Sequence, residues 1–319
     1  MNRFKVEEIA NAVLYEGYLL YPYRASAVKN RQRWNFGILY PRAFAEAQRS
    51  ADRWTTQTEC LIRPLGLDAA LNVTARFLHI IQRSDGWQEA AERDVNVREL
   101  TLSDLSLRPV RHTFDSPASR ETDERFVRTG EFIEGAIEVQ CEPLTNGLVK
   151  LRVDVSNTAI FDDAKPSSRE RALLLSLASA HTILELKGGE FISLLDTPDE
   201  YREAAAQCRN LGTYPVLVGD EDQRNAILSS PIILYDYPQI APESAGPLFD
   251  GTEIDEILTL RIMTLSNEEK LEMSRVDDRA RQILERTEAM PPEQLMKMHG
   301  ILRGMRREKA GSAFGEELS

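Results

Sequence analysis

The chain has 319 residues, of which 42% are hydrophobic and 28% are charged, a balance that excludes disordered and fibrous proteins. Its formal net charge is −12 at pH 7, although the first 50 residues carry eight Lys or Arg against four Asp or Glu. An acidic body disfavours nucleic-acid binding, and no stretch approaches the roughly 18 apolar residues of a membrane-spanning helix, so we expect a soluble cytoplasmic protein without either partner.

The first half of the chain is predicted to be rich in β-strands. A short helix comes first, because apolar residues from Val6 to Leu14 recur every three or four positions until Gly17. Runs of β-branched residues then predict strands, with tight turns at Asp85-Gly86 and Asn146-Gly147. The predicted strands cover residues 58–66, 71–83, 87–97, 132–143 and 148–159. The polar stretch 108–130 is predicted to be a long connection.

The second half is predicted to mix helices and strands. Residues 167–186 predict a buried helix that begins at Ser167 or Ser168, and residues 197–210 predict a helix capped by Thr197. Two strands and three closing helices complete the prediction. The strands are at 214–220 and at 226–238, the second broken by Pro231, and the helices are at 253–266, 267–290 and 291–308.

These elements predict an α+β fold. An antiparallel, β-rich and sandwich-like N-terminal half would be followed by mixed helices and strands and by a helical C-terminal region. The division falls near residue 165, which gives a β-rich domain at 1–165 and a mixed α/β region at 166–319. One continuous domain is the alternative.

The sequence contains no motif of a common enzyme class: no GxxxxGK[ST], no GxGxxG after a strand, no GxSxG and no HExxH. The candidate catalytic pair is His181 with Glu185, which would share one face of the predicted helix, where a proton relay or a metal could use both. A structural histidine bonded to a nearby carbonyl or to Glu185 is the alternative. The three cysteines form no CxxC pair and indicate reduced thiols, and we predict no metal and no cofactor.

Aromatic and basic residues are interleaved in residues 15–41, which we call the aromatic-basic segment. Its candidate binding residues are Tyr21, Tyr23, Arg24, Lys29, Arg31, Arg33 and Trp34. Such a mixture could stack on a heterocycle and neutralise an anion, or it could meet the acidic surface of a partner protein. Alternatively, the aromatic side chains anchor an irregular segment to the sheet and the cations offset the acidic body.

Carboxylates and prolines gather in residues 235–256, which we call the acidic loop. Its candidate binding residues are Tyr235, Asp236 and Asp250. Clustered carboxylates could bind a hard cation or a basic partner surface, although their spacing fits no calcium-loop pattern. Thr252 and Asp255 could instead cap the helix that follows.

The aromatic-basic segment and residues 180–196, 208–220 and 229–270 together resemble an uncharacterised protein family found alongside high-affinity, actinobacterial-type nickel-iron hydrogenases and their maturation proteins. The likeness covers nearly the whole chain and consists of long phrases rather than a catalytic motif. It implies an accessory role in hydrogenase assembly or maturation, with a hydrogenase subunit or maturation factor as the protein partner. Direct metal delivery is not expected, because the four histidines and three cysteines are scattered.

Two hypotheses about function follow. The first is a noncatalytic accessory protein that docks through the aromatic-basic segment and the acidic loop. The second is an enzyme or a binder of a small anionic ligand, in which the aromatic-basic segment holds the anion and His181 with Glu185 transfers a proton. A closed pocket that joins His181 to the aromatic-basic segment would favour the second, and exposed aromatic side chains would favour the first.

Overall fold

The secondary structure begins with a helix and continues with two antiparallel sheets. The computed structural model describes residues 3–291 and residue 293, except for positions 26, 28, 29, 31, 32, 35, 49, 67, 163–167, 241–245, 247 and 249–254. The strands in this part of the chain are β1 (Thr55–Pro64), β2 (Ala70–Arg83), β3 (Gln88–Thr101), β4 (Val110–Ser116), β5 (Ser119–Thr122), β6 (Val127–Gly130), β7 (Ile133–Pro143), β8 (Val149–Asn157), β9 (Leu177–Lys187), β10 (Gly189–Ile192), β11 (Tyr214–Leu217) and β12 (Ala226–Ser230).

Helices lie at the start, between strands and at the C-terminal end of the described chain. They are α1 (Arg3–Leu14), α2 (Arg42–Ala47), α3 (Leu102–Leu107), α4 (Arg169–Leu174), α5 (Arg202–Ala206), α6 (Asp255–Met263), α7 (Asn267–Val276) and α8 (Asp278–Glu288). The α+β class is therefore confirmed, with antiparallel sheets first and helices last. Within the described residues, no helix combines the length and apolar character needed to cross a membrane.

The strands form a larger and a smaller sheet. The larger sheet has the order β11-β12-β9-β2-β6-β5, with β3 also paired to β2, and the smaller has the order β10-β1-β8-β7-β4. β9 pairs with β2 in the larger sheet, and β10 pairs with β1 in the smaller. Strands from both sides of residue 165 thus share each sheet.

The two sheets pack face to face around the main apolar core. Cys60 and Leu151 of the smaller sheet belong to the same buried cluster as Val73, Leu184 and Ile227 of the larger sheet. Side chains of both sheets alternate inward and outward, because successive residues of a strand point to opposite faces. This arrangement is the sheet-on-sheet packing of a sandwich.

The outer face of the larger sheet is covered as well. At one end, Val6 and Val13 of α1 pack on Ile183 and Val216. At the other end, the aromatic-basic segment and helices α6–α8 pack on Leu78. The larger sheet is therefore buried on both faces along β2 and β9, and this burial explains why residues 177–186 were predicted to be helical.

The predicted helix over residues 167–186 is wrong beyond Leu174. Helix α4 ends there, and the remaining residues form β9, whose side chains are buried on both faces except near Glu185 and Lys187. A strand buried on both faces is a continuous apolar run, which periodicity does not distinguish from a buried helix. His181 and Glu185 therefore lie on a strand.

The predicted connection over residues 108–130 is also wrong, because it contains β4, β5 and β6. These strands are largely exposed and polar, so they lack the apolar alternation from which strands are recognised. The helix predicted over 197–210 is shorter than expected, because only α5 (Arg202–Ala206) forms there. The Thr197 hydroxyl donates to the Ser193 carbonyl and does not cap this helix. The predicted helix over 267–290 is divided at Asp277, which is extended and caps α8.

The strands predicted at 58–66, 71–83, 87–97, 132–143, 148–159 and 214–220 and both turns agree with the structure to within a few residues, whereas the strand predicted over 226–238 ends at Ser230. β2 and β3 form the expected hairpin, and β7 and β8 pair across the turn that contains Gly147. Gly86 and Gly147 both have positive φ, the conformation for which glycine is favoured at such turns. The predicted helix over 291–308 and the proposed cap at Thr252 lie outside the described residues, apart from residues 291 and 293.

Candidate functional site

The aromatic side chains of the aromatic-basic segment are mostly internal. Tyr18, Tyr23 and Trp34 are buried between the larger sheet and the C-terminal helices. The Tyr18 hydroxyl donates to the Asp277 carboxylate at 2.9 Å, and the Tyr23 hydroxyl donates to the Leu248 carbonyl at 2.7 Å. Burial and the neighbouring Asp277 raise the pKa of Tyr18 well above its ordinary value. These residues join the sheet to the helices, whereas the sequence alternative anticipated only their packing on the sheet.

Arg24 and Tyr21 lie at the edge of this internal contact. Arg24 Nη1 is 3.0 Å from Glu269 Oε1 and 3.9 Å from Glu272 Oε2, both on α7. The half-buried Tyr21 ring meets the Tyr23 ring edge-on, with 6.1 Å between their centroids. Arg24, which the sequence predicted to bind a partner, is thus paired with acidic side chains of the chain's own helix α7.

Arg33 is buried, and its guanidinium lies in an aromatic cage. It stacks 3.6 Å above the centre of the Trp87 ring, with the Trp34 ring at 4.9 Å and the Tyr18 ring at 5.5 Å. Its Nη1 donates to the Tyr18 carbonyl at 3.2 Å, and its Nη2 donates to the Gln88 carbonyl. Burial lowers the pKa of Arg33 to about 10. Stacking on ring faces is favourable to a cation, and it partly offsets the loss of water.

A cleft of about 320 Å³ lies beside α1, and a second of about 620 Å³ lies beside Arg33. The second is bordered by Ala25, Trp34 and Trp87, and by Arg171 at its rim. The sequence reading missed Trp87 and Gln88 as partners of Arg33. They follow the predicted turn at Asp85-Gly86 and are more than 50 positions from Arg33, so no local pattern could have joined them.

Three of the candidate binding residues, Lys29, Arg31 and Asp250, lie outside the described residues. The predicted carboxylate cluster of the acidic loop also falls mainly outside them. In the part of the chain that the structure describes, no group of three or more His, Cys, Asp or Glu side chains is placed to hold a metal ion.

The candidate catalytic pair is separated by the strand geometry. His181 and Glu185 point to the same face of β9, but four residues of a strand span roughly 13 Å, too far for direct proton transfer. The buried His181 has its Nδ1 2.9 Å from the Ser179 carbonyl, and its buried Nε2 has no hydrogen-bond partner within the described part of the chain. Glu185 borders the 320 Å³ cleft with Arg76, whereas His181 borders neither cleft. The relay expected from the helix is therefore not formed.

Tyr235 and Asp236 have opposite environments. Tyr235 is 87% exposed, whereas the Asp236 carboxylate accepts hydrogen bonds from the Leu217 amide at 2.8 Å and from the Ser193 hydroxyl. The Tyr237 amide donates to the Leu217 carbonyl at 2.7 Å. Residues 236 and 237 thus attach the chain to β11, an edge strand of the larger sheet, and Tyr235 is held on the outside.

Comparison of the chain with protein-family models and with curated proteins gives no match.

Proposed function

We propose that this protein is a noncatalytic accessory protein that binds another protein through the exposed side chains of residues 231–237. The observation that carries the proposal is the alternation along this segment. Ile232 and Leu234 pack inward on the apolar cluster beneath α1, whereas Ile233 and Tyr235 are 72% and 87% exposed. Large apolar and aromatic side chains presented in this way are typical of the anchors at interface centres.

The segment is held in place before any partner binds. Pro231 packs near Gly37, and Asp236 and Tyr237 are hydrogen-bonded to Leu217, so both ends of the segment are fixed. Tyr214, which lies on the adjoining edge strand β11 and pairs with Ser230, is also half exposed. A preformed segment loses little conformational entropy on binding, which supports a docking role.

The separation of His181 from Glu185 supports a role without catalysis by that pair, because it removes the relay that the sequence suggested. The resemblance to the family found with nickel-iron hydrogenases makes a hydrogenase subunit or a maturation factor the partner to test. Docking would then use the 231–237 segment more than the aromatic-basic segment, since Tyr23, Arg33 and Trp34 are buried.

The test is an affinity pull-down of the tagged full chain from its own cells, with mass spectrometry of the proteins recovered. The variant is Tyr235→Glu, and the matched control is Leu107→Glu, which places the same charge on an 84% exposed site at the end of α3. We expect wild type and control to recover a hydrogenase subunit or maturation factor in near-stoichiometric amounts. Loss of a central anchor costs about 2 kcal/mol or more, so Tyr235→Glu should reduce recovery at least tenfold.

Equal recovery by all three proteins would show that the docking surface is elsewhere. Recovery of the tagged protein alone from wild-type cells would overturn the accessory role itself. Charge reversal at Arg33 is not a suitable test, because this residue is buried and its loss would alter folding.

A further inference from the structure

Within the described residues, Arg33 differs from the buried arginines Arg76 and Arg83 because no carboxylate pairs with it. Arg76 lies 2.8 Å from Asp94, and Arg83 lies 3.0 Å from Glu89. Among the described residues, no carboxylate oxygen lies within 4.0 Å of a guanidinium nitrogen of Arg33. Buried charges in folded proteins are ordinarily paired, because an isolated ion loses its hydration on burial.

The groups that do surround Arg33 are neutral. Two backbone carbonyls accept from it, and the Trp87 and Trp34 rings stack against it. The Asp277 carboxylate influences it from a greater distance, but this carboxylate already accepts from the Tyr18 hydroxyl and from the Ala280 amide. The positive charge therefore lacks a direct counter-charge from the described chain.

The 620 Å³ cleft gives an anion access to this region. Its volume lies within the range of roughly 300–1,000 Å³ that is usual for small-molecule sites. Its wall combines apolar side chains, among them Trp34, Trp87 and Leu173, with the polar side chains of Asn30, Gln82 and Gln88, and Arg33 is its buried cation. Arg171 and Glu170 also border the cleft, are both exposed and carry opposite formal charges, so the preference for an anion comes from Arg33.

We propose that this cleft binds a small anionic ligand, a carboxylate or phosphate carried on a flat aromatic body. The anion lies against the Arg33 guanidinium and supplies the missing counter-charge, and the aromatic body packs on the tryptophan-lined wall. The site is separate from the 231–237 segment and does not depend on the docking function. It differs from the site expected from the sequence, because it uses Arg33 with Trp87 and does not involve His181.

The test uses the indole N–H signals of the three tryptophans in the 15N-labelled full chain. Trp34 and Trp87 border the cleft, whereas Trp54 packs in a separate cluster beneath Arg42 and serves as the internal reference. The probes are phenyl phosphate, benzoate, inorganic phosphate and the neutral analogue benzyl alcohol. We expect phenyl phosphate or benzoate to shift the Trp34 and Trp87 signals saturably and to leave Trp54 unchanged, and the stronger of the two identifies the anion class.

A pair of variants at Ala25 tests the charge preference without disturbing the core, because Ala25 is exposed at the border of the cleft. Ala25→Glu adds a negative charge, and Ala25→Gln adds a side chain of nearly the same shape without charge. We expect Ala25→Glu to weaken probe binding at least tenfold relative to Ala25→Gln.

Three results would overturn the proposal: no shift at millimolar probe, equal shifts with benzyl alcohol, or equal affinities of the two Ala25 variants. Failure of this site is distinguishable from failure of docking. The Ala25 variants leave the 231–237 segment intact for pull-downs, and Tyr235→Glu leaves the cleft intact for titration.

Discussion

Two histidines, His79 and His181, are buried, and their burial bears on the acid stability of the protein and not on the proton relay that the sequence suggested. The Nε2 atom of each has no hydrogen-bond partner among the described residues. Burial lowers the pKa of both to about 4, with a nearby arginine acting in the same direction, Arg93 for His79 and Arg76 for His181. Both side chains are therefore neutral in the folded protein at neutral pH.

These histidines should make the folded state sensitive to acid. The pKa of an unfolded histidine is about 6.5, so between about pH 6.5 and pH 4 the unfolded chain binds more protons than the folded chain. Stability then falls as the pH falls, by about 2 kcal/mol per histidine between pH 7 and pH 5. We expect the free energy of unfolding, measured by urea denaturation, to depend much less on pH in the double variant His79→Gln/His181→Gln than in wild type.

The control for this measurement is His112→Gln, since His112 is exposed on β4. The control should retain the pH dependence of wild type. An equally steep dependence in the double variant would contradict the assignment of acid sensitivity to the buried histidines.

Secondary-structure elements were predicted well where they have one exposed face. β8 alternates from Val149 to Val155, and α1 repeats its apolar residues at helical spacing, so both could be recognised from the sequence. β9 could not, because it lies between β12 and β2 with both faces covered. β5 and β6 were not predicted for the opposite reason. They are short and polar, and they are stabilised mainly by the pairing of β5 with β6 and of β6 with β2.

Helix α7 provides a test of how strongly a single terminus is stabilised. The Ser266 hydroxyl accepts from the Glu269 amide at 3.2 Å, and the Glu269 carboxylate accepts from the Ser266 amide at 2.9 Å, which forms a capping box. Glu269 also pairs with Arg24. We expect Ser266→Ala to lower the free energy of unfolding by about 1 kcal/mol, measured by urea denaturation.

Ser274→Ala is the matched control, because Ser274 lies within α7 and its hydroxyl donates to the Leu271 carbonyl of the same helix. Alanine is the better helix former at such a position, so this variant should not lose stability. Equal losses in the two variants would indicate that the capping box contributes nothing specific.

At the scale of the whole molecule, the aromatic-basic segment connects the sheets to the C-terminal helices. Tyr18 and Trp34 share one buried cluster with Leu78 of β2, with Met273 of α7 and with Ile283 of α8. Residues distant in sequence thus build a second core outside the sandwich. The positive N-terminal charge also meets an acidic helix here, through the pairing of Arg24 with Glu269 and Glu272.

Loss of the Trp34 side chain should therefore loosen the C-terminal helices in particular. Trp34→Ala removes a large buried ring and should destabilise the protein by roughly 3–5 kcal/mol. In hydrogen exchange followed by mass spectrometry under native conditions, the amides of α7 and α8 should exchange faster than in wild type. Phe44→Ala is the control, because Phe44 is equally buried but packs with Tyr40 and Phe161 in another cluster. Equal exchange of α7 and α8 in the two variants would contradict this role of Trp34.

The sequence by itself determined the α+β class, the two hairpin turns, the first helix and the strands β1, β2, β3, β7 and β8, because these depend on local periodicity and on glycine at positive φ. It also identified Arg33, Trp34 and Tyr235 as unusual residues. Only the tertiary structure decided their environments. Burial of Arg33 against Trp87, exposure of Tyr235 beyond β11 and separation of His181 from Glu185 depend on contacts between distant segments. Such contacts form when both faces of the larger sheet are covered, and no local pattern in the sequence specifies which segments cover them.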